Sequence, residues 1–290
     1  MHIDTITFTF PDMRLKRRLL LLSIAMTVSL AAAWPIAAFA ATQPRLGTAT
    51  SFAVLGGQSI TNTNATVING DVGLSPGGAL SVTGFPPGII NGAPHYADAV
   101  ALQAKNDLVT AYNDAANQTP FIDMSGVDLG NRSLTPGVYH FSSSAQLTGP
   151  LTLSGFGVFV FQIGSTLTTA SASSVLLTNG AQACGVYWQV TSSATFGTTT
   201  AFQGTVMALQ SITMNTGATL IGRALARNAS VTLQGNTITR PNAACASLPN
   251  TGIPLSLRGT FPWQLLLVGI AGGLGALLLG SNARARRRRV

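Results

Sequence analysis

The chain has 290 residues, 46% of them hydrophobic and only 8% charged, with a formal net charge of +8. That surplus would suit nucleic acid, but it sits at the two ends. Between 41 and 251 the bases Arg45, Lys105, Arg132, Arg223, Arg227 and Arg240 face equal numbers of acids, Asp71, Asp98, Asp107, Asp114, Asp123 and Asp128, with no glutamate. A neutral domain has little field to steer a polyanion, which excludes nucleic acid as the partner.

Residues 1–40 read as a secretory signal, with Met13 as a second possible start. Arg14, Lys16, Arg17 and Arg18 make a basic region, a long apolar run follows, and Ala38-Phe39-Ala40 offers a small-residue cleavage site. An uncleaved membrane anchor is the alternative. The domain proper is expected over 41–247. Its first phrase, SITNTNATVING at 59–70, returns almost unchanged as SITMNTGATLIG at 211–222.

Apolar residues at 97, 100, 101, 104, 108, 111, 112 and 115 recur at helical spacing. They predict one amphipathic helix over about 94–118, with Pro94 in its first turn and Pro120 marking its end.

After the helix the chain reads as short strands in a repeat. GVYHF (137–141), GVFVF (157–161), GVYWQ (185–189), GTVMA (204–208) and GRALA (222–226) each open on glycine. ATF (194–196), ITM (212–214) and VTL (231–233) form a second set behind the last three. Steps of this size suit one coil of a three-sided β-solenoid, in which stacking buries a core that no single coil could bury. The longer step before Gly185 implies a looser coil near 171–180. A β-sandwich is the alternative. Because SITNTNATVING follows the same grammar, the segment before the helix is expected to be a further coil of the stack. Tyr187, Trp188 and Phe196 are expected in the core or at its edge.

Cys184 and Cys245 are the two cysteines. Outside the cell a lone pair usually forms a disulfide; two buried thiols are the alternative. The C-terminal end carries LPNTG, that is Leu248, Pro249, Asn250, Thr251 and Gly252. An apolar stretch follows at 261–280, long enough to span a membrane, and then a basic tail at 281–290 that would stay in the cytoplasm. The whole resembles the cell-wall sorting signal of Gram-positive surface proteins. It implies that a sortase joins Thr251 to peptidoglycan, or that the span stays in the membrane, with the domain outside the cell in either case.

FAVLGGQSITNTNATVINGDVGLSPG, the helix segment, LTPGVYHF, ACGVYWQVTSSATFG and FQGTVMALQSITMNTGATLIGRALARNASVTLQGNTIT occur in that order. Together they resemble the bacterial and fungal ice-binding proteins of the DUF3494 type over about 47–245. The resemblance implies a mainly β fold: a right-handed, discontinuous, three-sided β-solenoid with one long α-helix packed alongside. It also implies that the two similar phrases become neighbours. An ice crystal surface is the implied partner, bound through one flat solenoid face that in some members carries Thr-Ala/Gly-x-Thr/Asn. Thr216-Gly217-Ala218-Thr219 fits that motif, Thr63-Asn64-Ala65-Thr66 departs at Asn64, and Thr198-Thr199-Thr200-Ala201 departs further. With Leu220 pointing inward, simple alternation puts Thr219 outward and Thr216 inward, unless a corner resets the parity. Thr66 and Thr219 are therefore the first expected contacts, with Thr63, Asn64, Thr216, Thr198 and Thr200 behind them.

Enzyme chemistry finds no footing in the residues. Paired carboxylates or a carboxylate-bound cation are needed for polysaccharide cleavage, yet Asp98, Asp107 and Asp114 fall on the helix and none occurs from 129 to 251. His95 and His140 lack a third metal ligand, so neither a metal nor a cofactor is expected. The competing reading is a surface adhesin or structural solenoid that binds glycan or protein.

Overall fold

In the computed structural model, the structure describes residues 41–241. The secretory segment 1–40, Cys245, the LPNTG motif, the apolar stretch 261–280 and the basic tail all lie outside the described residues. Among the described residues no helix is long and apolar enough to cross a membrane.

Among the described residues the fold is mainly β, with parallel strands in one fifteen-stranded and one seven-stranded sheet, and a single α-helix. The large sheet contains two ladders. The helix-side ladder runs through Gly137–Phe141, Phe159–Ile163 and Val186–Val190, the second halves of Ala201–Ala208 and Thr219–Ala226, then Phe52–Gly56 and Asp71–Leu74. The outer ladder runs through Pro150–Ser154, Ser174–Thr178, the first halves of those two long strands, then Thr237–Thr239, Val67–Asn69 and Ile89–Ile90. The seven-stranded sheet takes one short strand from each repeat: Ala145–Leu147, Leu167–Thr169, Ala194–Phe196, Ile212–Met214, Val231–Gln234, Ile60–Thr63 and Val82–Thr83.

Thus the N-terminal repeats continue the stack after the last C-terminal one. Ile60 pairs with Val231, and Val231 with Ile212. The two similar phrases are therefore not direct neighbours; the strand Val231–Gln234 lies between them. The repeats also register differently from the glycine alignment. Gly204 does face Gly222, but Gly137 faces Phe159, and Phe159 faces Val186. Gly157 and Gly185 fall just before the ladder. Gly157 is there to pass Pro136, whose ring a Cβ would strike.

Alternation drives the packing: one side of each strand enters the core. Tyr139, Phe161 and Trp188 occupy matched ladder positions and stack inside, the Phe161 and Trp188 rings 3.9 Å apart and 9° from parallel. Phe202 and Phe196 extend the cluster. Trp188 Nε1, which would be costly to bury unpaired, donates to the Gln203 carbonyl at 3.0 Å.

The helix spans Ala99–Ala116, shorter at its start than the predicted 94–118. Pro94–Tyr96 instead pairs with Asp71–Leu74 as a strand, Ala97 turns through φ 54°, and Asp98 caps the helix by accepting from the Ala101 amide at 2.7 Å. Ala101, Ala104, Leu108, Ala111, Tyr112 and Ala115 form its buried side, against Phe52, Leu55, Val138, Val160, Tyr187, Met207 and Leu225 of the helix-side ladder. Ala97 and Val100, expected on that side, are exposed. The C-terminal carbonyls, which lack intrahelical partners, are met by Gln162, whose Nε2 donates to the carbonyls of Ala115, Ala116 and Gln118. The segment before the first strand straps the helix: Arg45 binds Asp114 through two 2.8 Å contacts, and Thr48 donates to Asp107. Cys184 is buried in the short turn before Val186–Val190.

Candidate functional site: a hydroxyl array on the seven-stranded sheet

Each short strand of the seven-stranded sheet points its flanking residues inward and its middle residue outward. The inward pairs are Leu167 and Thr169, Ala194 and Phe196, Ile212 and Met214, Val231 and Leu233. The register sets the outward residues in one column: Gln146, Thr168, Thr195, Thr213, Thr232, Thr61 and Thr83. Two residues earlier along each chain stand Ser144, Thr166, Ser193, Ser211, Ser230, Ser59 and Ser81, all at least partly exposed. Apart from Gln146 at one end, every side chain in both columns is a serine or threonine.

Neighbouring strands lie about 4.8 Å apart, and alternate residues about 6.7 Å apart along a strand. The two columns therefore form a regular two-dimensional grid. Hydrogen bonds within it hold the groups in place: Ser59 Oγ donates to Ser230 Oγ at 2.7 Å, Thr166 Oγ1 to Ser144 Oγ at 2.9 Å, and Thr61 Oγ1 to Thr232 Oγ1 at 3.4 Å. β-Branched threonines are stiff at χ1 as well, so little rotamer freedom is left to lose on binding. Neither column contains an ionisable group.

The expected contact residues sit at the edge of this sheet, where the chain turns toward the outer ladder. Thr63, Asn64, Thr198, Thr216 and Thr219 are exposed there. Thr66 and Thr200 are not: both are 0% exposed. Simple alternation fails because the corner resets it. Gly217 turns through φ 73°, and Thr199, Gly235 and Asn64 occupy the same left-handed region. The amide of each corner donates to the carbonyl of the next, as in Thr199 to Thr216, Gly217 to Gln234 and Gly235 to Thr63. One extra residue in this conformation lets both Thr216 and Thr219 face out while Ala218 stays buried. It also turns the equivalent residues Thr66, Thr200 and Asn236 inward. Thr61, Thr83, Thr168, Thr195, Thr213 and Thr232 are not among the contacts expected from sequence. Aligning ATF, ITM and VTL already puts Thr195, Thr213 and Thr232 in one column, and that was the signal available.

The other surfaces suit a regular ligand less well. The helix covers part of the helix-side ladder. The outer ladder mixes threonine with exposed Leu176, Ile221 and Ile89. A depression beside the helix is lined by the polar residues Thr42, Gln43, Arg45, Asn113, Asp114 and Asn117, with Asp114 committed to Arg45. Arg45 holds the Asp114 carboxyl below the usual carboxylate range by hydrogen bonding, which suits a strap and not a general acid. His95 contacts Asp98 at 2.8 Å at the helix start. Among the described residues no three His, Cys, Asp or Glu side chains converge on a metal site.

These features define a class: a parallel-β protein that offers an extended, uncharged, periodic surface. A family model described as ice-binding-like matches residues 54–239, and the chain belongs to that family. It is 53% identical over 215 residues to an ice-binding protein of Nostoc sp. (strain HG1), covering 72% of this chain and 78% of the relative. It is 36% identical over 210 residues to one of Flavobacterium frigoris, covering 68% and 76%. Among solved structures, an ice-binding protein from an Antarctic biological consortium aligns with TM-score 0.68 at 52% identity, covering 71% of this chain and 95% of that one. One from the Antarctic ascomycete Antarctomyces psychrotrophicus aligns with TM-score 0.67 at 43% identity, covering 70% and 100%. The aligned part of this chain thus matches nearly the whole of each solved chain, so this part has the extent of a folding unit.

Proposed function

We propose that the protein binds ice through the seven-stranded sheet, that its repeats wind as a right-handed three-sided solenoid, and that it works at the cell surface. The observation that carries the ice face is the register: Thr168, Thr195, Thr213, Thr232, Thr61 and Thr83 in one column beside a second column of Ser and Thr. A rigid grid of short hydroxyl and methyl groups can hold surface water in a lattice-like order. The absence of charge from the columns removes strongly bound, differently oriented water. Each contact is weak, so binding depends on many acting together, and one bulky group in the middle is enough to lift neighbours off a flat crystal.

Display rests on sequence features outside the described residues: the secretory segment, LPNTG at 248–252, the apolar 261–280 and the arginines behind it. A tether would restrict the protein to ice next to the cell, which suits adhesion or control of nearby crystals. A Cys184–Cys245 disulfide would fasten the chain ahead of LPNTG to the domain. Sortase and peptidoglycan are the partners this reading requires.

The test uses residues 41–251, which contain the folding unit. Wild type should shape ice crystals and open a gap between melting and freezing points. Thr213→Tyr, mid-array, should abolish most of that gap, and Thr219→Tyr, beyond the corner, should leave most of it. The reverse pattern would place the ice face on the outer ladder, and a folded but inactive wild type would refute ice binding.

A further inference from the structure

The sheet has one junction unlike the others. Between Val231–Gln234 and Ile60–Thr63 no short connection links the strands, because they come from opposite ends of the domain; paired Ser59 and Ser230 are 171 residues apart. Elsewhere in the sheet, neighbouring strands belong to consecutive repeats, and repeat length limits slippage. At the seam, register depends on non-covalent contacts alone. It matters greatly there, since a slip of one residue would turn Thr61 inward and Ile60 outward.

A buried polar chain lies inside the corner at this seam. Thr66 Oγ1 donates to Asn62 Oδ1 and accepts from the Asn236 amide at 3.0 Å. Asn236 Nδ2 donates to the carbonyls of Asn215 at 2.9 Å and Ala218 at 3.0 Å, while its Oδ1 accepts from the Gln234 amide. Asn62 Nδ2 donates to the carbonyls of Asn64 at 2.9 Å and Gly84 at 2.8 Å. Asn62, Thr66 and Asn236 are 7%, 0% and 1% exposed. The chain reaches the ends of four adjacent strands: Val82–Thr83, Ile60–Thr63, Val231–Gln234 and Ile212–Met214. Its hydroxyl and amides hold strands from both halves of the protein to one geometry, and buried polar groups tolerate few alternatives because an unmade bond is expensive.

We infer that Thr66, Asn62 and Asn236 are positioning residues for ice binding. They never touch ice. They lock the seam so that the Thr61 and Thr83 end of the array lies in plane and in phase with Thr232, Thr213 and Thr195. Thr66 therefore serves the surface from within. This rests on the seven-stranded sheet being the ice face.

The decisive comparison is Thr66→Val, which keeps shape and removes the hydroxyl, with Thr66→Ser, which restores it. Both are made in 41–251 and assayed near 0 °C beside Leu153→Ala, a core control far from the seam, and Thr213→Tyr. Folded fraction is read by circular dichroism at the assay temperature. Thr66→Val should remain folded yet show a thermal-hysteresis gap reduced about two-fold or more, as expected when the shell supporting a site loosens. Thr66→Ser and Leu153→Ala should stay near wild type while folded. Wild-type activity in Thr66→Val together with loss in Thr213→Tyr overturns the positioning role alone. Equal loss in Leu153→Ala shows a general stability effect and also overturns it. Full activity in Thr213→Tyr overturns the ice face beneath it.

Discussion

Lys105 makes the stability of this protein depend on alkaline pH in a direction opposite to the usual one. Its Nζ sits between helix and helix-side ladder, donating to the Ala226 carbonyl at 2.6 Å and to that of Arg227. Burial, and then the charge of Arg227, push its pKa from 10.5 down to about 8. Because the folded value is depressed, the unfolded chain holds the proton to higher pH, and unfolding takes up a proton between about 8 and 10.5. Stability therefore rises with pH across that window. The slope cannot exceed about 1.4 kcal/mol per pH unit. Allowing for partial titration at pH 8, the gain from pH 8 to pH 10 is about 2 kcal/mol, or a midpoint rise of about 5 °C for a domain of this size. The comparison stops at pH 10 because burial pushes Tyr187 up to about 12 and raises Tyr96 and Tyr139 as well. Those phenols ionise first in the unfolded chain, around pH 10 and above, and there offset part of the gain equally in wild type and variant. Thermal unfolding of wild type and Lys105→Arg at both pH values tests the reasoning, since arginine stays protonated throughout. A rise in wild type that vanishes in Lys105→Arg is expected. The same rise in Lys105→Arg, or a fall in wild type, would refute the assignment.

Three further outcomes follow from packing. Phe161→Ala removes the middle ring of the Tyr139–Phe161–Trp188 stack and should cost about 3–5 kcal/mol in denaturant unfolding. Gly222→Ala would drive a Cβ into the Gly204 carbonyl oxygen in the adjacent repeat and should prevent accumulation of folded protein. Gly78→Ala meets nothing within 4 Å and should be neutral or stabilising by up to about 1 kcal/mol; both are read by expression and melting.

The sequence revealed the helix because its burial repeats at one fixed period, and Ala101, Ala104, Leu108, Ala111, Tyr112 and Ala115 obey it. Its start was misplaced because Pro94, His95 and Tyr96 pair with the strand Asp71–Leu74 one repeat earlier, and only the register with Val72, Gly73 and Leu74 makes that visible. The repeat was legible, and the second-strand alignment was in register throughout Ala194, Ile212 and Val231. Facing was harder. Strand alternation predicts it only within a strand, and a single left-handed residue at each corner breaks the count. Thr66 and Thr219 thus occupy equivalent-looking motifs, yet one is buried and the other exposed. The outward threonines needed no corner rule, but one Thr in a three-residue strand is unremarkable until the ladder places it beside its neighbours.

The placement of the first repeats beside the last has a consequence for how the molecule is made. Chain growth delivers Ile60–Thr63 early, but its partner Val231–Gln234 comes near the end of the domain. Bringing Ser59 and Ser230 together across 171 residues carries a loop-closure cost of about 4.5 kcal/mol beyond a constant, and non-local pairings of this kind form late and slowly. The full grid therefore comes into being only when the final repeat has emerged and closed on the first. A truncated or unfinished chain would carry at most a fragment of it, so assembly order itself reserves the complete surface for finished molecules.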